Sequence, residues 1–187
     1  EANMGSWGKP GDWWRSSKSI SGGILYDWGV HLLEYALQIL GDAQLVEVTG
    51  FAKTGFWAKQ TKWGADTNED EGWLVVRFAT GQWLKLCISA LDTSPKPNWV
   101  EVSGTTGTIA FSPNSCKTIW KDGAATRTEE LTNLPDEYPK YYRNIAEHLV
   151  KGTPLVITAE WARRPIHILD LAGRSAAQGR ALRAKYP

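Results

Sequence analysis

The sequence predicts an α+β domain in which helices cover one face of an open, mainly antiparallel β-sheet. Three observations predict it. One helical stripe near the N-terminus is followed by a block of strand-like runs, and two further helical stripes close the chain. The strands follow one another instead of alternating with helices, so no doubly wound Rossmann sheet is expected. The 187 residues are 42% hydrophobic and 22% charged, which fits a single globular unit over 1–187 with room for a sizeable core.

The elements follow in order. Residues 1–23 read as an N-terminal loop region, rich in Gly, Pro and Ser, with Trp7, Trp13 and Trp14 among them. Gly22-Gly23 lead into a helix from Leu25 to Leu40, where Leu25, Trp28, Leu32, Tyr35 and Ile39 recur at helical spacing and Gly41 is a natural stop. Leu45 to Lys53 is an apolar, β-branched run. Trp73–Ala79 and Trp83–Leu91 flank Thr80-Gly81-Gln82 as a hairpin. Shorter strands are expected at Trp99–Ser103, Thr108–Phe111, Thr118–Lys121 and Ala125–Leu131, separated by turn residues.

Pro139 marks the start of a helix with Tyr142, Ile145, Ala146 and Leu149 as its stripe and Gly152 as its end. Thr158 is an N-cap candidate for the last helix, with Glu160 in its first turn. Ile166, Leu169, Ala172 and Ala176 continue that helix, and Pro165 should kink it or delay its start.

The strand alternation divides the hairpin into two faces. Leu74, Val76 and Phe78 point with Leu84, Leu86 and Ile88 toward a core. Trp73, Val75 and Arg77 point the other way with Trp83, Lys85 and Cys87. That second face mixes tryptophan with cations, as interfaces do, so Trp73, Arg77, Trp83 and Lys85 are assigned to a dimer surface. Packing within the chain and a ligand platform are the alternatives.

Charge and composition exclude several functions. With 21 basic and 20 acidic residues the formal charge is +1, which argues against a nucleic-acid binder. No apolar run approaches the roughly 18 residues of a membrane span. No signal peptide is visible, and the chain starts at Glu1, as a fragment or a processed product would. Cys87 and Cys116 form neither a disulfide framework nor a zinc pattern, and two reduced thiols fit a cytoplasmic protein. His31, His148 and His167 are too scattered for a metal site, so none is expected. The acidic run Glu69-Asp70-Glu71 reads as a solvated turn, and the absence of G-x-G-x-x-G leaves no dinucleotide fingerprint.

The segment with chemistry in it is Ser21-Gly22-Gly23-Ile24-Leu25-Tyr26-Asp27-Trp28-Gly29-Val30-His31. Four residues apart on a helix, Asp27 and His31 share one side, and a carboxylate beside an imidazole suits a general acid/base. A surface or capping pair is the plainer reading of the same spacing. Gly29 leaves room for close packing, and Gly22 and Gly23 for close backbone approach. Trp14 and Arg15 offer a stacking plane and a bidentate contact.

The run SGGILYDWGVHLLEYALQILG resembles the glycine-rich D-x-G-x-H signature of the Gfo/Idh/MocA oxidoreductases, the glucose–fructose oxidoreductase and inositol dehydrogenase family. NEDEGWLVVRFATGQWLKLCIS, EVSGTTGTIAF and the closing YYRNIAEHLVKGTPLVITAEWARRPIHILDLAGRSAAQGRAL resemble later parts of that family's C-terminal domain, in the same order.

The resemblance implies a substrate-binding and oligomerisation domain of an NAD- or NADP-dependent oxidoreductase acting on a sugar or polyol. Asp27 and His31 match the family's catalytic Asp and His, and Trp14, Arg15, Gly22 and Gly23 lie toward the substrate. It implies a homo-oligomer formed through the open sheet face. The family's cofactor domain and its Glu-Lys-Pro motif are absent from the sequence, so the chain alone is expected to bind no cofactor and to be inactive. Glu34 and Pro165 depart from the family pattern. A Trp-rich carbohydrate-binding or dimerisation module without catalysis is the competing reading.

Overall fold

A computed structural model describes residues 1–4 and 9–186, so Trp7 lies outside the described residues. Among the described residues, nine strands form one sheet: β1 (Ala2–Met4), β2 (Leu45–Lys53), β3 (Glu71–Phe78), β4 (Trp83–Ser89), β5 (Val100–Ser103), β6 (Gly107–Ser112), β7 (Ser115–Asp122), β8 (Ala125–Leu131) and β9 (Leu182–Arg183). The order across the sheet is β8-β7-β6-β5-β1-β4-β3-β2-β9. Every pair is antiparallel except β1 and β4, which run parallel through Ala2↔Leu86 and Asn3↔Cys87. The expected loop at 1–23 therefore contains the strand that joins the two halves of the sheet. Three residues are too few for period-two alternation to be read in sequence.

The helices are α1 (Lys18–Ser21), α2 (Val30–Leu40), α3 (Tyr138–Lys151) and α4 (Ala159–Gln178). The expected core face of the hairpin is buried: Leu74, Val76, Phe78, Leu84, Leu86 and Ile88 pack with α2 and α4 in one apolar cluster. Each such side chain contributes about 1.5–3 kcal/mol.

The stripe expected on the first helix is rotated. Leu25–Gly29 forms a π-turn before α2, and the buried residues are Leu32, Leu33, Ala36 and Leu37, while Tyr35 and Ile39 are exposed. The wide turn brings Gly29 against the core, where an added Cβ would lie 3.3 Å from Leu86 Cδ2 and 3.4 Å from Leu169 Cδ2. The glycine thus serves close packing.

The last helix begins at Ala159, with the Thr158 hydroxyl accepting from Trp161 N–H, so Pro165 does not delay it. Its buried residues are Pro165, Ile168, Leu169, Leu171, Ala172 and Ser175, while Ile166 is exposed. Arg164 donates to the carbonyls of Gly41 and Ala43, and Trp161 Nε1 donates to Glu34 at 2.7 Å, tying α4 to α2. Helix α3 has the expected proline start and its Gly152 end, yet buries none of its residues; Tyr142 and Leu149 of its stripe are exposed. Among the described residues, no helix is long and apolar enough to cross a membrane.

Candidate substrate-binding site

The site is built where the N-terminal segment meets the π-turn. Arg15 lies in a short 3-10 turn, Trp14–Ser16, and Asp27 in the π-turn. Arg15 Nη1 donates to Asp27 Oδ1 at 3.1 Å. The guanidinium also lies 5.5 Å from the Trp13 ring and 5.3 Å from the Trp14 ring, with both indoles half-exposed. His31 is exposed on the first turn of α2, and its ring packs 5.3 Å from that of Trp28. Trp28 in turn meets Trp99 edge-on at 5.6 Å.

Asp27 and His31 are not joined by a hydrogen bond or ion pair among the described residues. The π-turn is the physical reason, since the four-residue spacing stacks side chains only on a regular α-helix. Arg15 holds the carboxylate instead.

Gly22 and Gly23, grouped with this site in the sequence reading, line a separate cleft of about 400 Å³ together with Tyr26, Phe51, Asp170 and Arg174. Burial, with Asp170 nearby, pushes the Tyr26 hydroxyl pKa up. Both glycines have positive φ, 89° and 115°.

The acidic run is not a solvated turn. Asp70 is fully buried and accepts the N–H groups of Phe56 and Trp57 at 2.8 and 2.9 Å. Glu69 accepts from Ile24 N–H at 2.9 Å and pairs with Lys18 at 2.8 Å. A buried carboxylate requires such donors, and a backbone that folds over it supplies them. Asp66 and Asn68 were not singled out in the sequence, and Glu69, expected in a solvated turn, instead binds Ile24 N–H and Lys18. The available signal was a Ser-rich run, Ser16 to Ser21, with a compact acid and amide run, Asp66 to Asp70, to satisfy it.

The open sheet face carries the four residues expected there. Arg77 is opposite Trp83 and Val75 opposite Lys85, while Trp73 is opposite Cys87. Trp83 is 66% exposed, Arg77 pairs with Glu47 at 2.9 Å, and Lys85 lies 5.6 Å over the Trp73 ring. Phe51, opposite Trp73 on β2 and 60% exposed, belongs to the same face and was missed.

A family model for the GFO/IDH/MocA C-terminal domain matches residues 1–110. The chain belongs to this family. An Amycolatopsis mediterranei protein, named as a UDP-kanosamine synthase oxidoreductase subunit, is 25% identical over an alignment covering 75% of this chain and 46% of that protein. Levoglucosan dehydrogenase in complex with NADH superposes over 100% of this chain and 58% of its own, with a TM-score of 0.79 at 16% identity. An NAD-binding protein from Listeria innocua covers 98% and 54%, with a TM-score of 0.75 at 19% identity. These structures establish the fold. This chain spans about half the length of the relatives it matches.

Levoglucosan dehydrogenase was solved with NADH, and the glycine-rich helix start of this chain does not fit the pyrophosphate of such a dinucleotide. A pyrophosphate is held by free N–H groups at a helix start after a glycine-rich turn. Here the glycine-rich start is filled: Ile24 N–H is taken by Glu69, whose Oε2 lies 2.7 Å from where a Gly23 Cβ would be. A phosphate placed there would meet a carboxylate.

Proposed function

We propose that this domain is the substrate-binding and oligomerisation part of an NAD- or NADP-dependent oxidoreductase acting on a sugar, polyol or related hydroxy compound. The observation that carries the reading is the Arg15–Asp27 pair beside the exposed indoles of Trp13 and Trp14, with His31 exposed at the start of α2. Trp13 and Trp14 offer flat faces for the C–H surface of a sugar ring. The ion pair offers a donor and an acceptor side by side, which suits neighbouring hydroxyls. The exposed His31 exchanges a proton with the reacting hydroxyl. The levoglucosan dehydrogenase fold, solved with NADH and levoglucosan, supports this reading.

The cofactor belongs to a part of the enzyme outside these residues, so the domain by itself is inactive. The open face with Trp73, Arg77, Trp83 and Lys85 meets a second copy. The test is turnover of the full-length gene product with NAD or NADP and a panel of sugars and polyols. His31→Ala lowers turnover by at least about 100-fold while NADH still binds. Unchanged turnover in that variant overturns the reading.

A further inference from the structure

The segment from Thr61 to Glu69 folds over residues 12–24. Lys62 N–H donates to Asp12 at 2.7 Å, and Trp63 Nε1 donates to the Trp13 carbonyl at 3.0 Å. Asp66 accepts from the Ser17 and Ser19 hydroxyls, and Ser17 bridges to Thr67 as an isolated antiparallel contact. Asn68 is the centre of this arrangement. It is buried; its Nδ2 donates to the Arg15 carbonyl at 2.6 Å, its Oδ1 accepts from the Ser21 hydroxyl at 3.1 Å, and its N–H donates to the Ser16 carbonyl at 2.9 Å.

We propose that Asn68 is a positioning residue of the site: it fixes the backbone of Arg15 from 53 residues away, and through Arg15 the carboxylate of Asp27. Arg15 has no regular element to hold it, since its 3-10 turn is only three residues long. Three hydrogen bonds at one buried residue, two through its side-chain amide and one from its backbone N–H, replace that support, and a buried group so fully used specifies one conformation. The amide side chain provides both the donor toward Arg15 and the acceptor toward Ser21. The proposal rests on reading Arg15 and Asp27 as the substrate-facing pair, but its test concerns geometry and not activity.

The experiment is NMR on the chain with nitrogen-15-labelled arginine. In the wild type, the Arg15 guanidinium held by Asp27 rotates slowly and shows resolved Nη–H signals. Asp27→Asn merges them and serves as the reference for a released guanidinium. Asn68→Ala merges them in the same way, while the amide protons of Leu74 and Val76 keep their protection from exchange. Asn68→Asp retains size and the acceptor toward Ser21 but lacks the donor, and also merges them. Resolved Arg15 signals in either Asn68 variant overturn the proposal. Loss of protection at Leu74 and Val76 in both variants also overturns it, because Asn68 then holds the whole fold. If His31→Ala leaves turnover unchanged while the Arg15 signals behave as expected, the functional reading fails and the positioning role stands.

Discussion

Arg15 and Asp27 meet at 3.1 Å across a junction between two irregular segments, and neither belongs to a regular helix or strand. The carboxylate of the D-x-G-x-H run is thus oriented by a cation from the preceding loop and not by the histidine four residues on. His31 takes its orientation from Trp28, itself packed on Trp99. The two halves of the signature are held by independent partners.

The contact between β2 and α4 gives a strong stability prediction. A Cβ on Gly50 would lie 2.0 Å from the Ala172 carbonyl oxygen, and backbone cannot yield cheaply. Gly50 N–H also donates to Ser175 Oγ at 2.9 Å, so the strand and helix are fixed at this spacing. Gly50→Ala should destabilise by roughly 3 kcal/mol, with a fall in Tm near 10 °C. Thermal unfolding followed by circular dichroism checks it.

The two cysteines should differ in reactivity. Burial, reinforced by Glu71 and Asp92, pushes the Cys87 thiol up to about 12. The reactive species is the thiolate, so Cys87 stays inert at neutral pH in the folded chain. Titration with a thiol reagent should label Cys116 first and Cys87 only once denaturant is added; equal rates for both in the native chain contradict this.

Acid should loosen the brace over residues 12–24. Hydrogen bonds from the Ser17 and Ser19 hydroxyls hold the Asp66 carboxyl below its ordinary range. A lowered folded-state pKa means the contribution is complete above the unfolded value, about 3.9, and is lost as pH falls through the folded value. Amide exchange at Ser19 should therefore accelerate below about pH 4, and Asp66→Asn should remove that dependence.

For the sheet face, Trp83→Arg places a charge at the most exposed tryptophan of the hairpin. Sedimentation of the wild-type chain should give a dimer, and the variant a monomer. An unchanged mass removes the case for this face.

Strands with one buried face were legible because alternation encodes them. Leu74, Val76, Leu84 and Leu86 lie where their period put them; Leu45–Lys53 and Ala125–Leu131 also match their expected bounds, although the second buries none of its residues. The Arg15–Asp27 pair was not legible, since its geometry depends on a π-turn that follows no sequence period. Nor was the role of Asp70, whose partners lie 13 and 14 residues upstream in an irregular loop. The α3 stripe was readable as a pattern, but a pattern carries no information on what covers it, and within the described residues nothing buries it.

The π-turn at Leu25–Gly29 has a consequence for length variation along the chain. Each residue of an α-helix advances the side-chain direction by about 100°. A π-turn holds about one residue more per turn than such a helix, so removing one residue here would restore an ordinary helix and leave α2 at nearly its present angle. Leu32 and Leu33 would stay in the core, while Asp27 and Gly29, inside the turn, would lose their present placement. A surface segment after a glycine-rich turn is usually where insertions and deletions are cheap. Here a one-residue deletion would spare the core and undo the turn that presents Asp27, so this stretch should keep its length wherever the candidate site is used.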